Sequence, residues 1–223
     1  MKTRIYILAY NDETFEFASN FYQKYEWAKV IYIKSTYIFD AIIYSEWLLE
    51  NYDDWKDFDN IGFLSWKAYQ KICIDTFNNT VIDIEKNNYD YDIKPIHIIN
   101  THDIYNWRPT SSYYKAYRIF DIIFTKLNYP SNYVYRDDFI KFYCNYWITK
   151  KNTLIEYIGF FKKCRQIIET DEEINSIIWD EVDYPGLLNK EQLLKLFNKP
   201  HYCYHPFIYE RIPIFYFHNK KII

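Results

Sequence analysis

Two short acidic patterns, Asp57-x-Asp59 and Asp90-x-Asp92, set paired carboxylates two residues apart. Hard divalent cations prefer carboxylate oxygens, and such a pair at a bend can share one ion on a nucleotide diphosphate. The pattern normally stands just after a buried strand. Asp57-x-Asp59 stands before one, and Asp90-x-Asp92 lies in a polar stretch. His102-Asp103 has the better position, after the apolar run 96–99, but a different spelling. In a chain rich in Asp, chance also makes such pairs. His201-x-Cys203-x-His205 sets three metal-ligand types on one side of a strand. That spacing is unusual for zinc and no fourth ligand is evident. The expectation is packing residues there, with any divalent metal bound at an acidic strand end instead. Glu210-Arg211 interrupts the aromatic run 206–213. Burying charge without partners costs several kcal/mol. The pair is therefore either a structural ion pair or a contact at a cleft, and the residues alone leave both open.

The elements that must position these groups follow from periodicity. Residues 4–10 form a short apolar run rich in β-formers, as in a fully buried parallel strand. Asn11 and Asp12 end it and can cap a helix over 13–25. Residues 29–34 read as a second buried strand. Ser35 or Thr36 then caps an amphipathic helix over 37–51. This β-α-β-α spacing predicts an α/β domain with the first two strands as parallel neighbours. Ile61, Phe63 and Leu64 flank Gly62, one of only 3 glycines. They predict a third strand, with Ser65 as cap of a helix over 66–74. Val81-Ile82 reads as a weak strand fragment, 83–92 as a polar loop and 96–99 as another strand. Helices are expected over 111–127, 153–169, 172–180 and 190–197, the last capped by Asn189. Residues 142–149 read as a strand, and 207–217 as an apolar closing segment. The chain thus reads as one domain, 1–223, with a helix-rich final third sharing the core.

Composition excludes several classes. GxGxxG and GxxxxGK[ST] loops need glycines that the chain lacks, which disfavours classical dinucleotide enzymes and P-loop NTPases. No GxSxG elbow marks a serine hydrolase. The net charge of −3 and pI near 6.0 come without a basic stripe, so no nucleic-acid partner is expected. No apolar run reaches the roughly 18 to 20 residues that span a bilayer. The 4 cysteines are scattered without a CxxC, and residues 1–5 begin directly with strand formers. Reduced thiols and a cytoplasmic location are the expectation. The 22% aromatic content accompanies abundant Ile, Asn and Lys, as AT-rich codons produce. It is discounted as a binding signal.

The order of landmarks resembles a known family. Ser45-Glu46-Trp47-Leu48 through Trp55-Lys56, followed by Asp59-Asn60-Ile61-Gly62-Phe63-Leu64-Ser65-Trp66-Lys67, is similar to a segment of bacterial polysaccharide-type glycosyltransferases. There an aromatic helix precedes an acidic residue, a Tyr-Val/Ile-Gly-Leu strand and a His-Tyr-Arg-Arg turn. Residues 143–150 resemble that family's later strand, and Phe207-Ile208-Tyr209-Glu210-Arg211-Ile212 its closing Glu-Arg-Leu helix. Ser65-Trp66-Lys67 departs from the family in lacking its His and double Arg. The size and codon bias also suit the small glycosyltransferases of large DNA viruses, which would place the protein in host cytoplasm.

The resemblance implies a GT-A-like, Rossmann-like fold: a central, mostly parallel sheet with helices on both faces. Residues 1–103 would be the nucleotide-binding half and 104–223 the acceptor side. It implies sugar transfer from a nucleotide-sugar donor to a glycan, protein or other hydroxyl acceptor. Mn²⁺ or Mg²⁺, or Lys and Arg groups, would stabilise the departing diphosphate. Asn11 and Asp12 are then expected near the nucleotide, and Asp59 or Asp103 near the diphosphate. His102 and Arg211 are further donor contacts, Asp90 and Asp92 metal ligands, and Asp59 and Glu210 catalytic carboxylates sharing one cleft. The alternative is a catalytically inactive viral interaction module with an aromatic binding surface.

Overall fold

The computed structural model describes residues 1–33, 42–96, 114–130, 142, 144–182, 188–218 and 220–221. The chain opens with β1 (Thr3–Ala9), α1 (Asp12–Tyr22) and β2 (Ala28–Tyr32). A π-helical segment, Ile43–Trp47, runs into short helices α2 (Leu48–Glu50) and α3 (Tyr52–Trp55), then β3 (Asn60–Ser65). After a 3₁₀ turn at Ala68–Gln70 come α4 (Ile74–Asn87), β4 (Ile93–Pro95) and α5 (Tyr114–Lys126). The remainder is β5 (Trp147–Lys150), α6 (Lys151–Thr170), α7 (Glu172–Ile177), α8 (Lys190–Phe197) and α9 (Tyr204–Phe217).

The strands form one sheet in the order β2-β1-β3-β5-β4. β1 pairs in parallel with β2 on one side and β3 on the other. The first two strands are thus the parallel neighbours expected. β5 runs antiparallel to both β3 and β4, so the open sheet is mixed. β5 comes from the second half of the sequence yet lies between two strands of the first. The sheet therefore crosses the expected boundary at residue 103.

Alternation along the strands feeds two apolar layers. Ile5, Ile7, Leu64 and Ile148 pack beneath α1 and α4 through Ala18, Tyr22, Phe77, Val81 and Ile84. Tyr6, Leu8, Ile61, Phe63 and Trp147 point the other way, onto α5, α6, α9 and the 43–55 segment. Much of the aromatic excess is consumed there. Trp147, fully buried, meets Phe63 edge-on at 5.0 Å and Tyr157 at 5.6 Å. Helices thus cover both faces of the sheet.

Several local expectations are corrected. Ser65 caps no helix: it is the last residue of β3, and the next helix begins at Ile74. Val81-Ile82 and much of the expected polar loop lie inside α4. There Ile74, Phe77, Val81 and Ile84 recur at helical spacing on its buried side. The closing segment is a helix, α9, despite Pro213 in its interior. Of the helix expected over 37–51, residues 37–41 lie outside the described residues, as do 97–99 of the strand expected over 96–99.

Asp171 caps α7 and ties it to α5. One oxygen accepts the Ile174 N–H at 2.8 Å, and the other lies 2.7 Å from Lys126 Nζ. The hydrogen bond from Lys126 holds the carboxyl below its ordinary value. A depressed carboxylate contributes stability above the unfolded-state value near about 4, lost as pH falls through the lower folded value. Asp171→Ala should cost about 1 kcal/mol at neutral pH. Urea unfolding should show the gap to wild type closing in acid; a gap that persists there would contradict this role.

Candidate functional site

The strand order reverses at β1. The chain goes from β1 to β2 on one side and returns to place β3 on the other. In open α/β sheets ligands bind in the crevice outside the carboxyl ends of the strands, at such a reversal. Here that end carries Tyr10, Asn11 and Asp12 after β1, and Ser65, Trp66 and Lys67 at and after β3. The two strand ends are stitched by the Trp66 N–H donating to Leu8 O at 3.0 Å. Tyr10 meets the Trp66 ring edge-on at 6.3 Å, and Phe17 does so at 5.7 Å.

Asn11 and Asp12 therefore stand where a nucleotide was expected. Asn11 also serves α1: its Oδ1 accepts the Thr14 N–H at 2.8 Å, and its own N–H donates to Thr14 Oγ1 at 3.2 Å. This reciprocal cap satisfies two otherwise orphaned donors. Asp12 is exposed in the first turn of α1.

Because β5 is antiparallel, its beginning lies at the carboxyl end of β3, with Phe63 opposite Trp147. Tyr146 reaches Ser65, hydroxyl to hydroxyl. Just before it, Cys144 and Asn145 take φ of 65° and 54°, two consecutive left-handed non-glycine residues. The Cys144 N–H donates to Glu210 Oε1 at 2.7 Å. Lys71 Nζ lies 2.8 Å from Cys144 Sγ and 5.9 Å from the Tyr146 ring centre. Burial pushes the Cys144 thiol up. Arg211, 8% exposed, donates to Phe207 O at 3.0 Å and lies 3.5 Å from Glu210 Oε2. Glu210 and Arg211 thus belong to the carboxyl end of the sheet.

A hollow of about 320 Å³ adjoins this region, walled by Lys71, Cys73, Thr76, Phe77, Lys94 and Ile96. Cys73 is exposed at the start of α4, and the Thr76 hydroxyl beside it holds its thiol below the usual value.

Asp59, Asp90 and Asp92 are not in this group. Asp59 precedes the amino end of β3, where Oδ2 accepts the Lys2 N–H at 2.7 Å and its carbonyl accepts the Lys151 N–H at 2.9 Å. Asp90 and Asp92 precede β4 at the same end. Asp90 pairs with Lys221 and lies 3.8 Å from Lys150; Lys221 holds its carboxyl below the ordinary value. Asp92 accepts from Thr153 Oγ1 at 3.0 Å and from the Lys221 N–H at 3.1 Å. These carboxylates are met by ammonium groups, a hydroxyl and amides. The expectation that Asp59 and Glu210 share a cleft is therefore corrected: they stand at opposite ends of the sheet. Among the described residues, no three His, Cys, Asp or Glu side chains gather to hold a metal ion. His102 and Asp103 lie outside the described residues.

The larger hollow, about 630 Å³, opens at the amino end, between β1, Trp27 and α4. Volume does not make it the better site, because its polar wall groups bond one another. Tyr25 donates to Asp75 at 3.2 Å, Trp27 to Asn78 at 2.8 Å, and the Thr3 N–H to Glu85 at 2.7 Å. The extended His201-x-Cys203-x-His205 strand is also absent. His205 lies in α9 and stacks on Trp179 at 4.5 Å, while His201 meets the Trp179 carbonyl at 3.2 Å.

Lys67, Lys71 and Tyr146 were not singled out in the sequence. Lys67 stands two residues past the end of β3, the position where acidic residues were sought, so attention to cations there would have found it. No protein family, curated protein or solved structure matches the chain. None of the helices among the described residues is long and apolar enough to cross a membrane.

Proposed function

We propose that the chain is a nucleotide-sugar-dependent glycosyltransferase with a GT-A-like fold. Its donor site would be the crevice at the carboxyl ends of β1 and β3. The observation that carries this reading is the reversal of strand order at β1, with an aromatic side chain on each lip, Tyr10 and Trp66, and lysines after β3. The short landmarks of the family resemblance add the sugar-transfer chemistry.

The nucleotide would lie along Asn11, Asp12 and Trp66. Lys67 and Lys71 would face the diphosphate. In the reaction the sugar's anomeric carbon–oxygen bond breaks and its electron pair leaves on the diphosphate, where the ammonium groups stabilise the growing charge. The acceptor oxygen bonds the same carbon, and its proton passes to a carboxylate at this end of the sheet. Asp12, after β1, is the candidate. A divalent cation is a further candidate partner of the diphosphate, and its use is part of the test.

One observation favours the second reading, an inactive interaction module. Phe15, Phe17, Tyr32 and Tyr69 are 36–48% exposed on and beside α1, near the same crevice. Phe15 meets Tyr32 at 6.2 Å and Phe17 meets Tyr69 at 5.3 Å. A patch of this kind marks contact surfaces.

A thermal-shift panel of UDP-, GDP-, CMP- and dTDP-sugars, each with and without Mn²⁺, separates the two. One donor class should raise the melting temperature, since a ligand at 100 times its Kd adds about 2.7 kcal/mol of stability. If no donor moves the transition, the transferase reading fails and the interaction module stands.

A further inference from the structure

Cys144 and Asn145 are a strained joint held from outside. Two consecutive non-glycine residues in the left-handed region cost conformational energy, and such strain persists only where surrounding contacts over-determine it. The contact here comes from 66 residues away: Glu210 on α9 accepts the Cys144 N–H at 2.7 Å. Glu210 is 24% exposed in its side chain, and its second oxygen lies 3.5 Å from Arg211 Nη1. An acid–base catalyst needs an oxygen aimed at a substrate hydroxyl. Both oxygens of Glu210 are instead engaged within the protein.

The joint also fixes the start of β5. Tyr146, directly after Asn145, bonds Ser65 at the end of β3, and Lys71 spans from the Cys144 sulfur to the Tyr146 ring. Releasing the joint would move Tyr146 and the seat of Lys71 together.

We propose that Glu210 is a positioning residue of the crevice. Its carboxylate pins the Cys144–Asn145 turn so that Tyr146, buried and bonded to Ser65, keeps Lys71 seated at the carboxyl end of β3, where Lys71 receives the diphosphate group of the ligand. The identity of that ligand rests on the nucleotide-sugar reading; the clamp itself rests on the geometry of the turn.

The test compares Glu210→Gln with Glu210→Ala. The amide oxygen of Gln can still accept the Cys144 N–H, whereas Ala cannot. Two quantities are measured on each folded variant: hydrogen exchange at the Cys144 amide, and affinity for inorganic pyrophosphate, which needs no particular base or sugar. Glu210→Gln should keep both within about threefold of wild type, and Glu210→Ala should worsen both by about tenfold or more, the scale of one lost hydrogen bond to a charged group. A Gln variant that loses as much pyrophosphate affinity as the Ala variant overturns the proposal. So does an Ala variant that changes neither quantity.

If Glu210→Ala does not fold, the Cys144→Gly background decides. Glycine enters the left-handed region freely, so the turn should persist without its clamp. Pyrophosphate affinity of the double variant should then lie within about threefold of Cys144→Gly alone, because the strain at position 144 is gone and Asn tolerates the left-handed region at position 145. A fall of about tenfold or more in that background overturns the proposal. Wild-type protein that binds no pyrophosphate also overturns the positioning role. Pyrophosphate binding without stabilisation by any nucleotide-sugar overturns the functional reading instead and leaves the clamp standing.

Discussion

Gly62→Val should destabilise the protein by about 3 kcal/mol, the upper part of the usual range for overpacking. Gly62 sits in the middle of β3, opposite Ile5 of β1 and Ile148 of β5. A single Cβ there would stand 2.7 Å from Ile5 Cδ1, 2.9 Å from the Trp147 carbonyl oxygen and 3.0 Å from Ile148 Cγ1. The isoleucine tip can turn away, but the backbone oxygen can move only if β5 shifts. The clash therefore strains the β3–β5 seam, which carries Tyr146 and the Cys144 turn. Gly159 supplies the control. It lies exposed in α6 with no atom within 4 Å of an added Cβ, so Gly159→Ala should stabilise by about 0.5–1 kcal/mol. Urea midpoints of both variants check the pair; a neutral Gly62→Val would contradict the described packing of β3 against β5.

The largest functional effect is expected from Lys67→Ala combined with Lys71→Ala. Each substitution removes one charge-assisted contact to a diphosphate, at about 1.5–3 kcal/mol apiece. Allowing for partial compensation by water and by the remaining lysine of the hollow, Lys94, affinity for a nucleoside diphosphate should fall about a hundredfold. The residual binding should also depend less on salt, since fewer ion contacts remain to be screened. Asp90→Asn, at the other end of the sheet, should leave that affinity within about twofold. Calorimetric titration of the three proteins checks this. Loss of binding in Asp90→Asn with retention in the lysine variant would reverse the assignment of the site.

How far the fold was legible depended on whether local pattern and tertiary role agreed. The run in β1 is apolar because both faces of that central strand are buried, so composition and structure coincide; β2, expected to be buried as well, is a half-buried edge strand with Tyr32 exposed. Asn189 announces α8 by bonding its own first turn: Oδ1 accepts the Gln192 N–H at 2.9 Å. α4 was missed because its buried positions are separated by Asp, Thr and Asn, which leaves Val81-Ile82 looking like an isolated strand. Ser65 has the residue type of a helix cap, but its hydroxyl is used across the sheet by Tyr146.

The site was less legible than the fold, for a geometric reason. Asp59 and Glu210 share a character in sequence, carboxylates beside apolar runs, yet the length of β3 separates them. Six residues at about 3.3 Å each put roughly 20 Å between its ends. Which end a residue occupies depends on strand direction, and nothing in residues 147–150 announces that β5 runs antiparallel. That reversal delivers Cys144, Tyr146 and Glu210 to the carboxyl end, and leaves Asp59, Asp90 and Asp92 among lysines at the other.

The central claim is that the ligand site lies at the carboxyl ends of β1 and β3. Amide chemical-shift mapping by NMR during titration with the donor class selected by the thermal-shift panel tests it most directly. The account predicts that the largest shifts fall on Asn11, Asp12, Trp66, Lys67, Lys71 and Tyr146, with Asp59, Asp90 and Asp92 unmoved. Shifts concentrated on Asp59, Asp90, Asp92 and Lys221 would contradict it.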